Sequence, residues 1–141
     1  MDLFNRSIVG YSVSRTMTVE LAKAALIKAL ANRNKEECLI HHSDRGVQYT
    51  SAEYIGFLAE HGIQASLSGS GNCYDNACIE AFHSILKEEL ICRKSYEGIE
   101  EVEKDLFKYI EGFYNNRRVH SALGDLSPNE YERQYYVGLE E

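Results

Sequence analysis

The sequence predicts an α/β protein with a partly parallel sheet. Strand-like and helix-like segments alternate in the order β-α-β-α-β-α-α along 141 residues, a pattern that is stable as helices layered on a sheet. A short apolar run ending at His41-His42-Ser43 stops at Asp44-Arg45-Gly46. An acidic residue just past a buried-looking strand stands where such sheets keep their sites, at the carboxyl edge. With 44% hydrophobic residues the chain can bury one core, so one domain over residues 1–141 is expected.

Each element has its own signal. Residues 6–14 alternate apolar and small polar side chains with β-branched enrichment, as in a strand with one covered face. Thr18 precedes an Ala/Leu/Ile-rich run over residues 19–31 without Gly or Pro, which predicts a helix. Residues 38–42 read as a second strand. Thr50 and Glu53 fit the N-cap and third position of a capping box, and Tyr54, Ile55, Phe57 and Leu58 form the apolar stripe of a helix stopped by Gly62. Residues 63–67 read as a third strand, followed by a small-residue loop over residues 68–72 with little reason to be rigid.

Asp75 or Asn76 can cap the next helix, whose apolar members Cys78, Ile79, Phe82, Ile85, Leu86 and Leu90 recur at steps of three and four. On a helical wheel Asn76, His83, Ser84 and Lys87 fall within roughly 60° of Glu80, so the polar face is continuous. Ser95 is expected to start a last long helix with Ile99, Val102, Leu106, Ile110 and Phe113 inward, ending near Tyr114-Asn115-Asn116-Arg117-Arg118. The single proline, Pro128, suits the first turn of a terminal helix. No internal repeat or low-complexity tract is visible.

Composition excludes several classes. No apolar run approaches the roughly 20 residues of a membrane span, and the first residues have neither the charged nor the apolar region of a signal peptide, so a cytoplasmic protein without a membrane partner is expected. Cys38, Cys73, Cys78 and Cys92 are irregularly spaced and read as thiols rather than a disulfide framework. Cys73, Cys78 and His83 lack a paired Cys-x-x-Cys knuckle, which argues against zinc. A formal net charge of −7 is unlike a module that holds nucleic acid by charge alone.

Two carboxylates anchor the chemistry. Thirty-five residues separate Asp44 from Glu80, and Lys87 follows Glu80 by seven, nearly two helical turns, on the same face. A strand-end Asp and a helix-borne Glu could jointly ligate Mg²⁺ or Mn²⁺, hard ions that prefer oxygen and act on phosphoryl groups. Each residue alone has a plainer reading. Asp44 before a glycine is a turn residue, Glu80 near a Lys is a solvated face, and His41 and His42 are one packed and one exposed histidine. Arg117, Arg118 and His120 are either a solvated cluster or a phosphate-contacting patch. The combination favours catalysis.

Four motifs in order then resemble a known family. They are His41-His42-Ser43-Asp44-Arg45-Gly46-Val47-Gln48-Tyr49-Thr50-Ser51, Asp75-Asn76-Ala77-Cys78-Ile79-Glu80-Ala81-Phe82, Leu86-Lys87-Glu88-Glu89, and Tyr114-Asn115-x-x-Arg118-x-His120 with Leu126-Ser127-Pro128. Together they resemble the integrase-type transposases of bacterial insertion sequences over essentially the whole chain. The resemblance implies a ribonuclease-H-like integrase catalytic core and an Asp-Asp-Glu triad working with two divalent metals, Mg²⁺ or Mn²⁺. It implies DNA partners, both transposon ends and target. By the same resemblance Asp44 is the second acid, Glu80 the third and Lys87 a DNA contact, with Arg45, Asn76, Arg117, Arg118 and His120 as further DNA-binding candidates.

The implied reaction is hydrolysis and transesterification of phosphodiesters. In the resembled family the first acid lies on the opening strand, about twenty residues before the segment matched by Asp2-Leu3-Phe4-Asn5-Arg6, so Asp2 is not assigned that role. The expectation is an N-terminally truncated core lacking the first strand and most of the second. A right-handed β-α-β unit is still expected from residues 8–13, the helix after them and residues 38–42, beside a bare sheet edge prone to self-association. Three functions compete: a transposase core inactive alone, a non-enzymatic remnant that binds and modulates a full-length transposase, and a structure-specific nuclease.

Overall fold

A computed structural model describes residues 1–31, 38–69 and 73–140. It divides into two compact units, Gly10–Ala81 and a second made of Met1–Val9 with Phe82–Glu141. The elements are mixed α and β, with a small parallel sheet.

Within Gly10–Ala81 the chain runs through α1 (Val19–Ala31), β1 (Leu39–Ser43), α2 (Val47–Thr50), α3 (Ala52–Glu60) and β2 (Ile63–Leu67) to the start of α4 (Ala77–Glu89). The strands pair in parallel from Leu39↔Ile63 to Ser43↔Leu67, and α2 and α3 supply the helical crossover that parallel strands require. Leu26, Tyr54, Leu58 and Ile63 are buried together, with Val19, Ala22, Leu30, Leu39, Ile55 and Phe57 packed around them. That cluster is the core that seats the sheet.

The cap of α3 sits one residue later than expected. Ser51 is extended, at ψ 143, and its Oγ accepts the Tyr54 N–H at 3.2 Å. Thr50 ends α2 instead, its Oγ1 donating to Gly46 O at 3.3 Å, and Glu53 pairs with Lys23 at 2.5 Å. Gly62, at φ +68, ends α3 as the sequence implies; its N–H reaches Ala59 O at 3.0 Å.

Residues 6–14 are not a strand. Among the described residues the sheet has only β1 and β2, so the expected unit from residues 8–13 and 38–42 does not form, and the one present is β1–α3–β2. Apolar alternation reports a covered face, whereas a ladder also needs a partner strand at hydrogen-bonding distance. Ile8 meets its backbone needs on a side chain: its N–H donates to Asn115 Oδ1 at 2.9 Å, and Asn115 Nδ2 donates to Ile8 O at 3.1 Å. Gly10 lies against α1, where any Cβ would collide with Ala25 O and the Ala29 backbone.

The second unit holds the rest of α4, then α5 (Ile99–Phe107), a π-helical segment (Lys108–Tyr114) and α6 (Pro128–Glu140). In α4 Phe82 is buried, Ile85, Leu86 and Leu90 are half-buried, and His83, Ser84, Lys87 and Glu88 are exposed, matching the amphipathic spacing. Helix α5 starts at Ile99 behind an extended Gly98, not at Ser95. Glu101 explains the delay, since it accepts from Glu97 N–H and Lys94 Nζ and folds that lead-in back on the first turn.

The π-helical segment changes which residues face inward. Asn115 N–H donates to Ile110 O, an i→i+5 bond of 3.0 Å. The extra residue in the turn turns Phe113 outward, to 41% exposed, and puts Tyr114 inside, at 2%. Phe113 therefore does not continue the buried stripe expected of it. Helix α6 begins at Pro128 as predicted. The buried Ser127 before it donates to Glu130 Oε2 through both N–H and Oγ–H, at 3.1 and 2.6 Å, one half of a capping box. Among the described residues no helix is long and apolar enough to cross a membrane.

Candidate functional site

Asp44 follows the last residue of β1 and is exposed. Its Oδ1 accepts the Gly46 N–H at 2.8 Å, a local turn bond that orients the carboxylate and leaves its second oxygen as a further ligand position. Arg45, beside it, donates from Nε to Ser68 O at 2.9 Å.

Ser68 is the hub of this edge. Its N–H and its Oγ–H both donate to Ser43 O, at 3.0 and 3.2 Å, and its Oγ accepts from Asn76 Nδ2 at 3.0 Å. Asn76 is half-buried and stands four residues before Glu80, which is exposed in the first turn of α4. The turn carrying Asp44 and the helix start carrying Glu80 are thus braced through one buried hydroxyl. Asp75 Oδ2 accepts the Gly69 N–H at 3.1 Å, so both proposed caps of α4 tie it to the loop after β2. Ser68 and Gly69 are fixed where the sequence suggested slackness; residues 70–72 of that loop lie outside the described residues.

Lys87 is exposed on α4, seven positions after Glu80. Arg117 is exposed, but its neighbours are built into the fold. Arg118 Nη2 donates to Glu89 Oε1 at 3.0 Å, and Tyr109 OH donates to Glu89 Oε2 at 2.6 Å. Burial raises the Glu89 pKa, yet the Arg118 and Tyr109 hydrogen bonds outweigh it and hold the carboxyl below its usual range. His120 packs edge-on against Tyr114, ring centroids 5.1 Å apart, while its N–H donates to Leu126 O.

Neither histidine of β1 is exposed. His41 Nε2 lies 3.2 Å from Tyr54 OH, and His42 Nδ1 lies 2.9 Å from Ser66 Oγ, its register partner in β2. Burial pushes the Tyr54 phenol up to about 12. Cys38 and Cys92 are exposed thiols. The side chain of Cys73 lies outside the described residues, among which no group of three or more His, Cys, Asp or Glu could hold a metal.

Two profiles, each describing an integrase core domain, match this sequence over residues 1–73 and 61–128. The chain belongs to the integrase core domain family. Its relatives include the transposase for insertion sequence element IS904 of Lactococcus lactis subsp. lactis (strain IL1403), 41% identical over 133 residues, which are 94% of this chain and 53% of that protein. The transposase InsF for insertion sequence IS3fB of Escherichia coli (strain K12) is 43% identical over 134 residues, 95% of this chain and 46% of that protein. The transposase InsF for insertion sequence IS3 of Escherichia coli O111:H- is 42% identical over the same shares. The chain spans about half the length of these curated relatives.

In this integrase core, several structure-bearing residues had no role assigned from sequence. Ser68 looked like loop filler, Glu89 closed the Leu86-Lys87-Glu88-Glu89 motif without a part of its own, and Tyr109 was an aromatic on a helix. Their roles exist only because separate elements converge on them.

The half-buried His41 and His120 are expected to make stability sensitive to mild acid. Burial lowers the pKa of His41 below its ordinary 6.5; burial, then Arg118 and Arg6, does the same for His120. Between the folded value and 6.5 the unfolded chain binds more protons, so stability rises with pH there and is lost as pH falls through that window. Melting temperature is expected to drop between about pH 7.5 and about pH 5.5, and His120→Gln to flatten the drop. A melting temperature that rises over that range contradicts this assignment.

Proposed function

We propose that this chain is the catalytic portion of a ribonuclease-H-like transposase that cuts and joins DNA phosphodiesters with divalent metal ions. Membership in the integrase core family supports it. The observation that carries it is the Ser68–Asn76 brace between the Asp44 turn and the helix bearing Glu80. In this reading the brace would give two exposed carboxylates a common, preorganised edge, which a phosphoryl-transfer site requires.

Asp44 and Glu80 are the metal-holding residues in this reading. The donor set fits, since both are carboxylates of the kind Mg²⁺ and Mn²⁺ prefer. An ion held by Asp44 and Glu80 would supply Lewis-acid chemistry, lowering the pKa of a water or 3′-hydroxyl and offsetting charge on the leaving oxygen. The chain's own part is positional. Gly46 N–H holds the Asp44 carboxylate, Ser68 and Asn76 hold the start of α4, and Lys87 presents a positive charge to a DNA phosphate. Arg45 and Asn76 are further DNA contacts in this reading, and the exposed Arg117 of the second unit is another. For Arg118 and His120 the reading is indirect, because their hydrogen bonds, ring packing and ion pair lie within the fold. Asp2 is outside the acid set, its Oδ1 capping its own turn through the Phe4 N–H at 2.8 Å.

Two acids of three are assigned, so these 141 residues by themselves are expected to bind Mn²⁺ without joining strands. Calorimetric titration of Mn²⁺ beside strand cleavage of a transposon-end duplex tests this. Specific binding that Glu80→Gln abolishes is the expected result, and identical heats for both proteins overturn the metal site. A second reading, a non-enzymatic protein that associates with a full-length transposase, draws on Ile40, 59% exposed on β1, which pairs only with β2 among the described residues. It predicts co-purification with the intact enzyme and loss of that enzyme's activity in mixtures.

A further inference from the structure

The outward turn of Phe113 creates a feature that strand cutting does not use. Phe113, Arg117, Arg118, Val119 and Glu89 line an open cavity of about 300 Å³, at the small end of ligand-sized pockets. Phe113 rests against Tyr109, ring centroids 5.7 Å apart at 54°, and Tyr109 is itself buried and bonded to Glu89. The aromatic is therefore supported from beneath, with 41% of its surface toward solvent. π-Helical turns of this kind occur frequently at functional sites.

Charge and hydrogen bonding point the same way. Glu89 is already neutralised by Arg118 and Tyr109, so Arg117 leaves the cavity with a positive excess on a chain whose net charge is −7. An exposed aromatic face and an exposed cation side by side in one small open cavity suit a planar base with a phosphate attached.

We infer that this cavity seats one unpaired DNA nucleotide, its base stacked on Phe113 and its phosphate on Arg117. The inference rests on the reading that the chain acts on DNA. It gives Arg117 a role near strand ends, where nucleotides leave the duplex, rather than along duplex DNA, while Arg118 holds the cavity wall through Glu89.

The test uses the full chain and a short single-stranded oligodeoxynucleotide carrying one 5-iodouracil, with a duplex of the same sequence beside it. Photocrosslinking is expected to map to Phe113. At a temperature where both proteins are folded, Phe113→Ala is expected to weaken single-strand binding about tenfold while leaving duplex affinity unchanged, and Phe113→Tyr to restore it. Arg117→Ala is expected to lower the salt dependence of single-strand binding by about one counterion. A crosslink elsewhere, or equal single-strand affinity for Phe113→Ala, overturns the inference while duplex binding leaves the main reading standing. Failure of the unaltered chain to bind either DNA at low salt overturns both.

Discussion

Asn115→Ala is expected to destabilise the unit built from Met1–Val9 and Phe82–Glu141 by about 3 kcal/mol, the largest stability loss among polar substitutions. Asn115 is 5% exposed and Ile8 4%. The carboxamide answers both backbone groups of Ile8 at 2.9 and 3.1 Å, as a neighbouring strand would. Alanine leaves a buried N–H and a buried C=O without partners, each costing about 1–3 kcal/mol. The Asn115 backbone adds to the junction, since its C=O accepts from Asn129 N–H and its N–H closes the π-helical turn on Ile110.

Urea unfolding checks this. A midpoint that falls while the slope stays constant is expected. A change under about 0.5 kcal/mol, the range of ordinary surface substitutions, means that Ile8 finds other partners. Asn115→Asp keeps the acceptor but loses the donor and buries a charge, so it is expected to be no more stable than Asn115→Ala.

Ser68→Ala is expected to weaken Mn²⁺ binding on the order of tenfold or more, although Ser68 would not touch the metal. The substitution keeps the backbone bonds, Ser68 N–H to Ser43 O and Arg45 Nε to Ser68 O. It removes the hydroxyl's donation to Ser43 O and the acceptor for Asn76 Nδ2. The start of α4 then loses its brace to the edge carrying Asp44, and two carboxylates free to wander hold an ion less tightly than two held in place. Ser68→Thr keeps the oxygen and is expected to retain most of the affinity. Unchanged Mn²⁺ affinity in Ser68→Ala, with Glu80→Gln still abolishing binding, means the brace is only structural.

The legible parts of the fold were those whose signal is local. Helix α1 and strand β2 match the sequence reading residue for residue, at Val19–Ala31 and Ile63–Leu67. An unbroken Ala/Leu/Ile run and a short apolar run after an αL glycine each specify themselves. The segment around Ile8 failed because its partner is a side chain more than a hundred residues away. Phe113 failed because a single π-helical turn shifts the period, and no three- or four-residue spacing rule anticipates that.

The candidate site divides the same way. Asp44 and Glu80 were legible from their places at a strand end and on a helix face. The Ser68 hub was not, because a serine beside glycines has no distinguishing pattern until β1, β2 and the start of α4 converge on it. Arg118 and His120 read as either a solvated cluster or a phosphate-contacting patch, and their half-burial against Glu89 and Tyr114 had no signal in the sequence.

The central claim is that Asp44 and Glu80 hold one divalent ion between them. The most direct measurement follows amide resonances of the ¹⁵N-labelled chain as substoichiometric Mn²⁺ is added, because paramagnetic broadening reports proximity to the ion. Selective loss of the Asp44, Arg45 and Gly46 signals together with those of Ala77 to Ala81, abolished by Glu80→Gln, is the predicted result. Broadening spread evenly over the acidic surface, or centred on other carboxylates and unchanged in Glu80→Gln, contradicts it.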